Sequence, residues 1–163
     1  YIATMLRQSG EPRTAIAGVV LAGFGIGGAL YSVFVSRILA SLGEQRMMRI
    51  GGATMGLCLV VDAARAAWPL QFATFALLGF GFYMLHAVIQ IYASELAPAA
   101  RGSAMALHSF FYFLGQAAGP VVYGAGLNSG IGLGPVLVFG SVVLAGTGLA
   151  CAHWLRRPEP AVV

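Results

Sequence analysis

The sequence has no lysine and only five acidic residues, and charged side chains make up 9% of its 163 residues. A soluble domain carries roughly 25% charged residues to wet its surface, so an ordinary water-soluble fold is excluded. The missing lysine also excludes a phosphate-binding Gly-rich loop ending in Lys-Ser or Lys-Thr. There is no HExxH, no CxxC and no pair of acids inside one apolar run, so no metal and no cofactor is expected. The two cysteines, Cys58 and Cys151, lie far apart in apolar segments and read as small packing residues. All cations are arginines, placed singly or in pairs, without the basic and aromatic cluster that a nucleic-acid surface needs. Gly23-x-Gly25-x-x-Gly28 has dinucleotide-fingerprint spacing, but it sits in mid-run with no preceding strand and no following acid.

What is abundant is apolar sequence, 59% of the chain, cut by charges and turn residues into helix-length runs. The run Thr14 to Ser36 has no charge and would measure about 34 Å as a helix, enough for a hydrocarbon core of about 30 Å. Continuing the division gives an all-α, polytopic transmembrane helix bundle of about five spans, near 14–38, 48–67, 70–94, 102–125 and 136–155. The breaker Asn128-Ser129-Gly130-Ile131-Gly132-Leu133-Gly134-Pro135 separates the last two. Asp62 and Arg65, three apart at the end of the second span, are placed to pair and reach the interface together. Tyr1 to Leu6 is too short to span. Because the chain opens at Tyr1, not Met, the expectation is part of a longer polypeptide. A membrane β-barrel would show alternating segments of about ten residues, and these runs are continuous and longer.

Five spans put Arg37, Arg46, Arg49, Arg101, Arg156 and Arg157 on one side, and Arg7, Arg13 and Arg65 on the other. The excess predicts a cytoplasmic C-terminus by the positive-inside tendency.

Polar side chains concentrate in two of the spans. Tyr83, His86 and Gln90 fall at i, i+3 and i+7 in the third, within about 60° of one another around the helix. His108, Tyr112 and Gln116 repeat every four residues in the fourth, beside Gly115 and Gly119. Polar groups in hydrocarbon must be paired or wetted, so both stripes should face the protein interior, lining a cavity or locking the two helices together. Gly23/Gly27 and Gly115/Gly119 have the GxxxG spacing of close helix contacts, and Pro120 should kink the fourth span.

At this point the sequence resembles a known family. Ser36 to Arg46 is similar to the cytoplasmic loop signature of the major facilitator superfamily, roughly G-x-L-a-D-R-x-G-r-R. Gly43 and Arg46 match, while Ala40 and Ser41 stand where the signature has its acidic and basic pair. Glu95-Leu96-Ala97-Pro98-Ala99-Ala100-Arg101-Gly102 resembles the family's E-x-x-P-x-x-R-G loop, and Phe113 to Pro120 looks like the following helix in many efflux members. The resemblance implies secondary active transport of a small molecule by alternating access, outward and coupled to protons, in a bacterial inner (plasma) membrane. It implies helices two to six of the C-terminal half, with the N-terminal half of the same polypeptide missing. Arg37, Gly43, Arg46, Glu95 and Arg101 would then form the cytoplasmic loop and gate. Tyr83, His86, Gln90, His108, Tyr112 and Gln116 would line the substrate cavity. Two other classes stay open at this stage. One is a non-transporting helix bundle, a partner subunit or a haem protein using His86 and His108. The other is an intramembrane enzyme, against which Ser109 faces away from its neighbour His108.

Overall fold

The computed structural model describes residues 1–155 of the chain, so Arg156 and Arg157 lie outside the described residues. These form α1 (Ile2–Gln8), α2 (Thr14–Ala63), α3 (Trp68–Glu95), a short 3-10 turn (Pro98–Ala100), α4 (Arg101–Asn128) and α5 (Leu133–Trp154). No strand occurs among the described residues.

A straight helix of the 50 residues of α2 would run about 75 Å, more than twice a bilayer's hydrocarbon thickness. It does not run straight. Gly43 has φ 70° and ψ 165°, a left-handed conformation that glycine alone adopts cheaply, and the helix folds back there. The direction of the contacts shows the reversal. In the first arm (14–42), Gly23 meets Phe72 and Gly27 meets Ala76 and Phe80, so this arm runs parallel to α3. In the second arm (44–63), Gly51 meets Gly81 while Asp62 meets Thr74, so this arm runs antiparallel to α3. The same reading gives α5 antiparallel to the second arm (Gly52 to Gly148, Gly56 to Ser141), and α4 antiparallel to both α3 and α5. The result is an up-and-down bundle of five passes. Pro69 opens α3 in its first turn, where a missing N–H costs nothing. The glycines at Gly130 (φ 81°) and Gly132 (φ 86°) make the turn into α5.

Glycine sets the spacing of the helices. A Cβ on Gly51 would lie 2.6 Å from the Gly81 carbonyl oxygen, and one on Gly52 would lie 2.8 Å from Gly148 Cα. Adjacent residues point about 100° apart on a helix, so this doublet serves two neighbours at once, α3 and α5. Methionines fill the space between, with Met47, Met48, Met55 and Met84 buried together with Leu85 and Val88.

The outer surface is apolar. Val33 is 71% exposed, Leu57 65%, Phe113 62% and Val142 66%. Soluble proteins do not leave so many large apolar side chains in contiguous contact with water. By length and composition α2, α3 and α5 are apolar enough to cross a membrane. The chain is an integral membrane protein, an all-α polytopic bundle.

Around the end of the second arm the structure corrects the expected pairing. Arg65 is exposed and takes φ 58° just past the helix end. Asp62 turns inward, 3% exposed, and accepts a 2.8 Å hydrogen bond from the Thr74 hydroxyl. Gln71, fully buried, donates to the Ala66 carbonyl (2.7 Å) and to Ser9 Oγ (3.1 Å). Arg13 and Glu11 form an ion pair at 2.7 Å, before α2. The Arg13 guanidinium holds the Glu11 carboxyl down to about 2, first through this hydrogen bond.

Candidate functional site

One end of the bundle gathers the Gly43 elbow, the α3–α4 linker and the end of α5. Two hydrogen bonds brace it. Tyr92 of α3 donates to Glu44 Oε2 at 3.0 Å, and Gln45 Nε2 donates to the Leu155 carbonyl that closes α5. Gly43 and Arg46 lie at this elbow, with Arg37 six residues before it, while Glu95 ends α3 and Arg101 opens α4 on either side of the linker. Arg37, Arg46 and Arg101 are exposed.

Just inside this end, α3, α4 and α5 line a cavity of about 570 Å³, within the range typical of small-molecule sites. His86 comes from α3, His108, Phe111 and Tyr112 from α4, and Thr147 from α5. The antiparallel pairing of α3 and α4 is what brings residues twenty positions apart into one wall. The His86 ring lies 5.5 Å from His108 and 4.8 Å from Tyr112, and stacks on Phe82 at 5.0 Å with planes 16° apart. Such offset aromatic contacts are worth about 0.5–1.5 kcal/mol each beyond area burial. Gln116, one turn along α4, donates to the Tyr112 hydroxyl at 2.6 Å. His108 Nε2 is buried without any hydrogen-bond partner.

The expected stripe residues separate into two groups. His86, His108 and Tyr112 meet at the cavity. Tyr83 stands off it, its ring 6.2 Å from Tyr31 of α2 in a stacked arrangement, and Gln116 reaches it through Tyr112. Gln90 is exposed and lies outside the cavity wall. Of the glycine pairs, Gly23 and Gly27 are buried against α3, whereas nothing stands within 4 Å of a Cβ placed on Gly115 or Gly119. Pro120 lies within a continuous α4, where its missing N–H leaves the Gln116 carbonyl without its helical donor. The Tyr1 hydroxyl donates to the Pro120 carbonyl at 2.6 Å. No residue of α4 is buried, unlike those of α1, α2, α3 and α5.

Residues 3–163 match the family model described as Major Facilitator Superfamily. The chain belongs to that superfamily. Comparison with curated proteins and with solved structures gives no match. The chain is therefore a membrane transporter of the major facilitator type, a class that moves small-molecule substrates across membranes.

In this superfamily member the sequence motifs missed several participants. Phe82 and Phe111 carry no polar signal, yet Phe82 stacks on His86 and Phe111 lines the cavity. Thr147 sits in the fifth span, outside the two polar stripes, and Glu44 and Gln45 flank the Gly43 and Arg46 that match the loop signature. Asp62 is the buried acid that its position beside Arg65 concealed. Among the described residues no group of three or more His, Cys, Asp or Glu side chains is placed to hold a metal ion.

Proposed function

We propose that the α3–α4 cavity is part of the substrate pathway of a secondary active exporter working by alternating access. The observation that carries this reading is the meeting of His86, His108 and Tyr112 around a drug-sized space close to the braced elbow. Polar side chains in hydrocarbon are costly unless they serve a pathway or a partner. His86 and His108 come from different helices, and one nitrogen is left unsatisfied. Tyr83, Gln90 and Gln116 would extend the pathway beyond the cavity. The elbow residues Gly43, Arg46 and Arg37 would hold one conformer through contacts at the helix ends with Glu95 and Arg101. Gly23, Gly27, Gly115, Gly119 and Pro120 would set helix packing and the bend of α4.

In the same proposal the elbow end and the C-terminus face the cytoplasm of a bacterial inner membrane, and protons drive export. The five spans form helices two to six of a C-terminal half, and the N-terminal half of the polypeptide supplies the opposite wall. The arginine excess at the elbow end supports the orientation.

The experiment is substrate transport driven by an imposed pH gradient in vesicles containing the full-length protein. His86→Ala is expected to cut the transport rate at least tenfold and to alter its pH response, with Gln90→Ala giving a smaller loss. Unchanged rates and pH response in both variants would remove the cavity from the pathway.

A further inference from the structure

The wall of the α3–α4 cavity has a composition that selects among substrate classes. We propose that it takes a planar aromatic molecule that carries no negative charge. This deepens the transport reading above and rests on it for the cavity's role.

Charge is the first constraint. None of the residues lining the space is an Asp, Glu or Arg, and its titratable groups are His86, His108 and Tyr112. An anion brought from water against this wall would find no fixed positive charge among these lining residues, and an unpaired buried ion is far more costly than a neutral molecule of the same shape. This side of the pathway therefore selects against anions, whereas its ring faces tolerate a cation.

Shape is the second. Four of the lining side chains are rings, His86, His108, Phe111 and Tyr112, and the His86 face already stacks on Phe82. Ring faces present flat, polarizable surface that favours offset stacking with another ring. Ala93 and Ala104 leave the room, and the volume of about 570 Å³ suits a two- or three-ring compound.

The test is equilibrium binding to the purified full-length protein in detergent, with two fluorescent probes that share a ring frame. N-phenyl-1-naphthylamine is uncharged and carries one N–H, and 8-anilinonaphthalene-1-sulfonate is the same frame with a fixed negative charge. The neutral probe is expected to bind saturably and at least tenfold more tightly than the sulfonate. Leu107→Trp, which fills the cavity, should weaken the neutral probe at least tenfold. A size-exclusion profile matching the unmodified protein certifies that the variant is folded, and the charge comparison stands even if it is not. Equal binding of the two probes, or neutral-probe binding untouched by a folded Leu107→Trp, would overturn the proposal, as would displacement by decanol at equal concentration. Binding needs no turnover, so the two readings fail separately. Selective binding without transport in vesicles would sink the transport role alone, and transport without charge discrimination would sink this inference alone.

Discussion

Gly52→Ala probes the contact that sets the spacing of the bundle. A Cβ at this position would stand 2.8 Å from Gly148 Cα and 2.9 Å from the Leu144 carbonyl oxygen, both backbone atoms of α5. Carbon atoms pack comfortably at about 3.5–4.0 Å, so the second arm of α2 and α5 must part by roughly 0.7 Å or more. No side-chain rotation relieves it. Overpacking of this kind costs about 1–3 kcal/mol, and the separation also loosens Gly56 against Ser141 one turn further on. The matching control is Gly25→Ala on the first arm, where nothing lies within 4 Å of the new methyl. There the only change is removal of the entropic penalty of a helix-interior glycine, a gain of about 0.5–1 kcal/mol. Reversible unfolding in mixed micelles, followed by circular dichroism, measures both. Gly52→Ala should lose about 1–3 kcal/mol while Gly25→Ala stays equal to or above the unmodified protein. Equal stability of the two variants would refute glycine-set packing between α2 and α5.

Thr74→Val keeps shape but removes the hydroxyl that donates to Asp62 Oδ1, so a buried acid loses its hydrogen bond; the expected loss is about 1–3 kcal/mol in the same assay. A change below about 0.5 kcal/mol would mean that Asp62 is solvated in the protein. The Glu11 carboxyl, held at about 2 by Arg13 against an ordinary 4.5, contributes above its ordinary value, and the contribution is lost as pH falls toward 2. Carboxyl-carbon NMR of the micelle-bound protein should therefore give Glu11 a midpoint near 2. A midpoint near 4.5 would mean that the pair does not persist.

Much of the architecture is legible in the sequence because hydrocarbon enforces it. Helix-length apolar runs, Pro69 and the Asn128–Pro135 breaker mark most of the reversals, and the observed helices follow these signals. The polar connector 37–49 is different. It reads as a loop, yet all but Gly43 is helical, because Ile38, Leu39, Leu42, Met47 and Met48 pack against the core while the arginines point away. One glycine makes the reversal. Glycine contacts are partly legible as well: GxxxG spacing marks Gly23 with Gly27 against α3 and Gly52 with Gly56 against α5, but it also marks Gly115 with Gly119, which meet nothing within 4 Å, and it misses Gly51, which packs on Gly81. The polar stripes locate the α3–α4 seam, but spacing alone does not say how far along each helix the cavity extends. Gln90, one turn beyond His86 on the same stripe, is exposed and outside the cavity wall.

The most direct measurement compares thiol labelling at lipid-facing and cavity positions in the full-length protein, with Cys58 and Cys151 replaced by alanine. Single cysteines are placed at Val33 and Leu57, which are 71% and 65% exposed on the apolar surface, and at Ala104 and Leu107 in the cavity wall. Membrane vesicles are treated with a water-soluble, membrane-impermeant maleimide from each side in turn. Ala104→Cys and Leu107→Cys should label from the elbow side, while Val33→Cys and Leu57→Cys label only after the membrane is dissolved and the protein denatured. Labelling of Val33→Cys and Leu57→Cys in intact vesicles as fast as the cavity positions would contradict a lipid-embedded bundle with a wetted α3–α4 cavity.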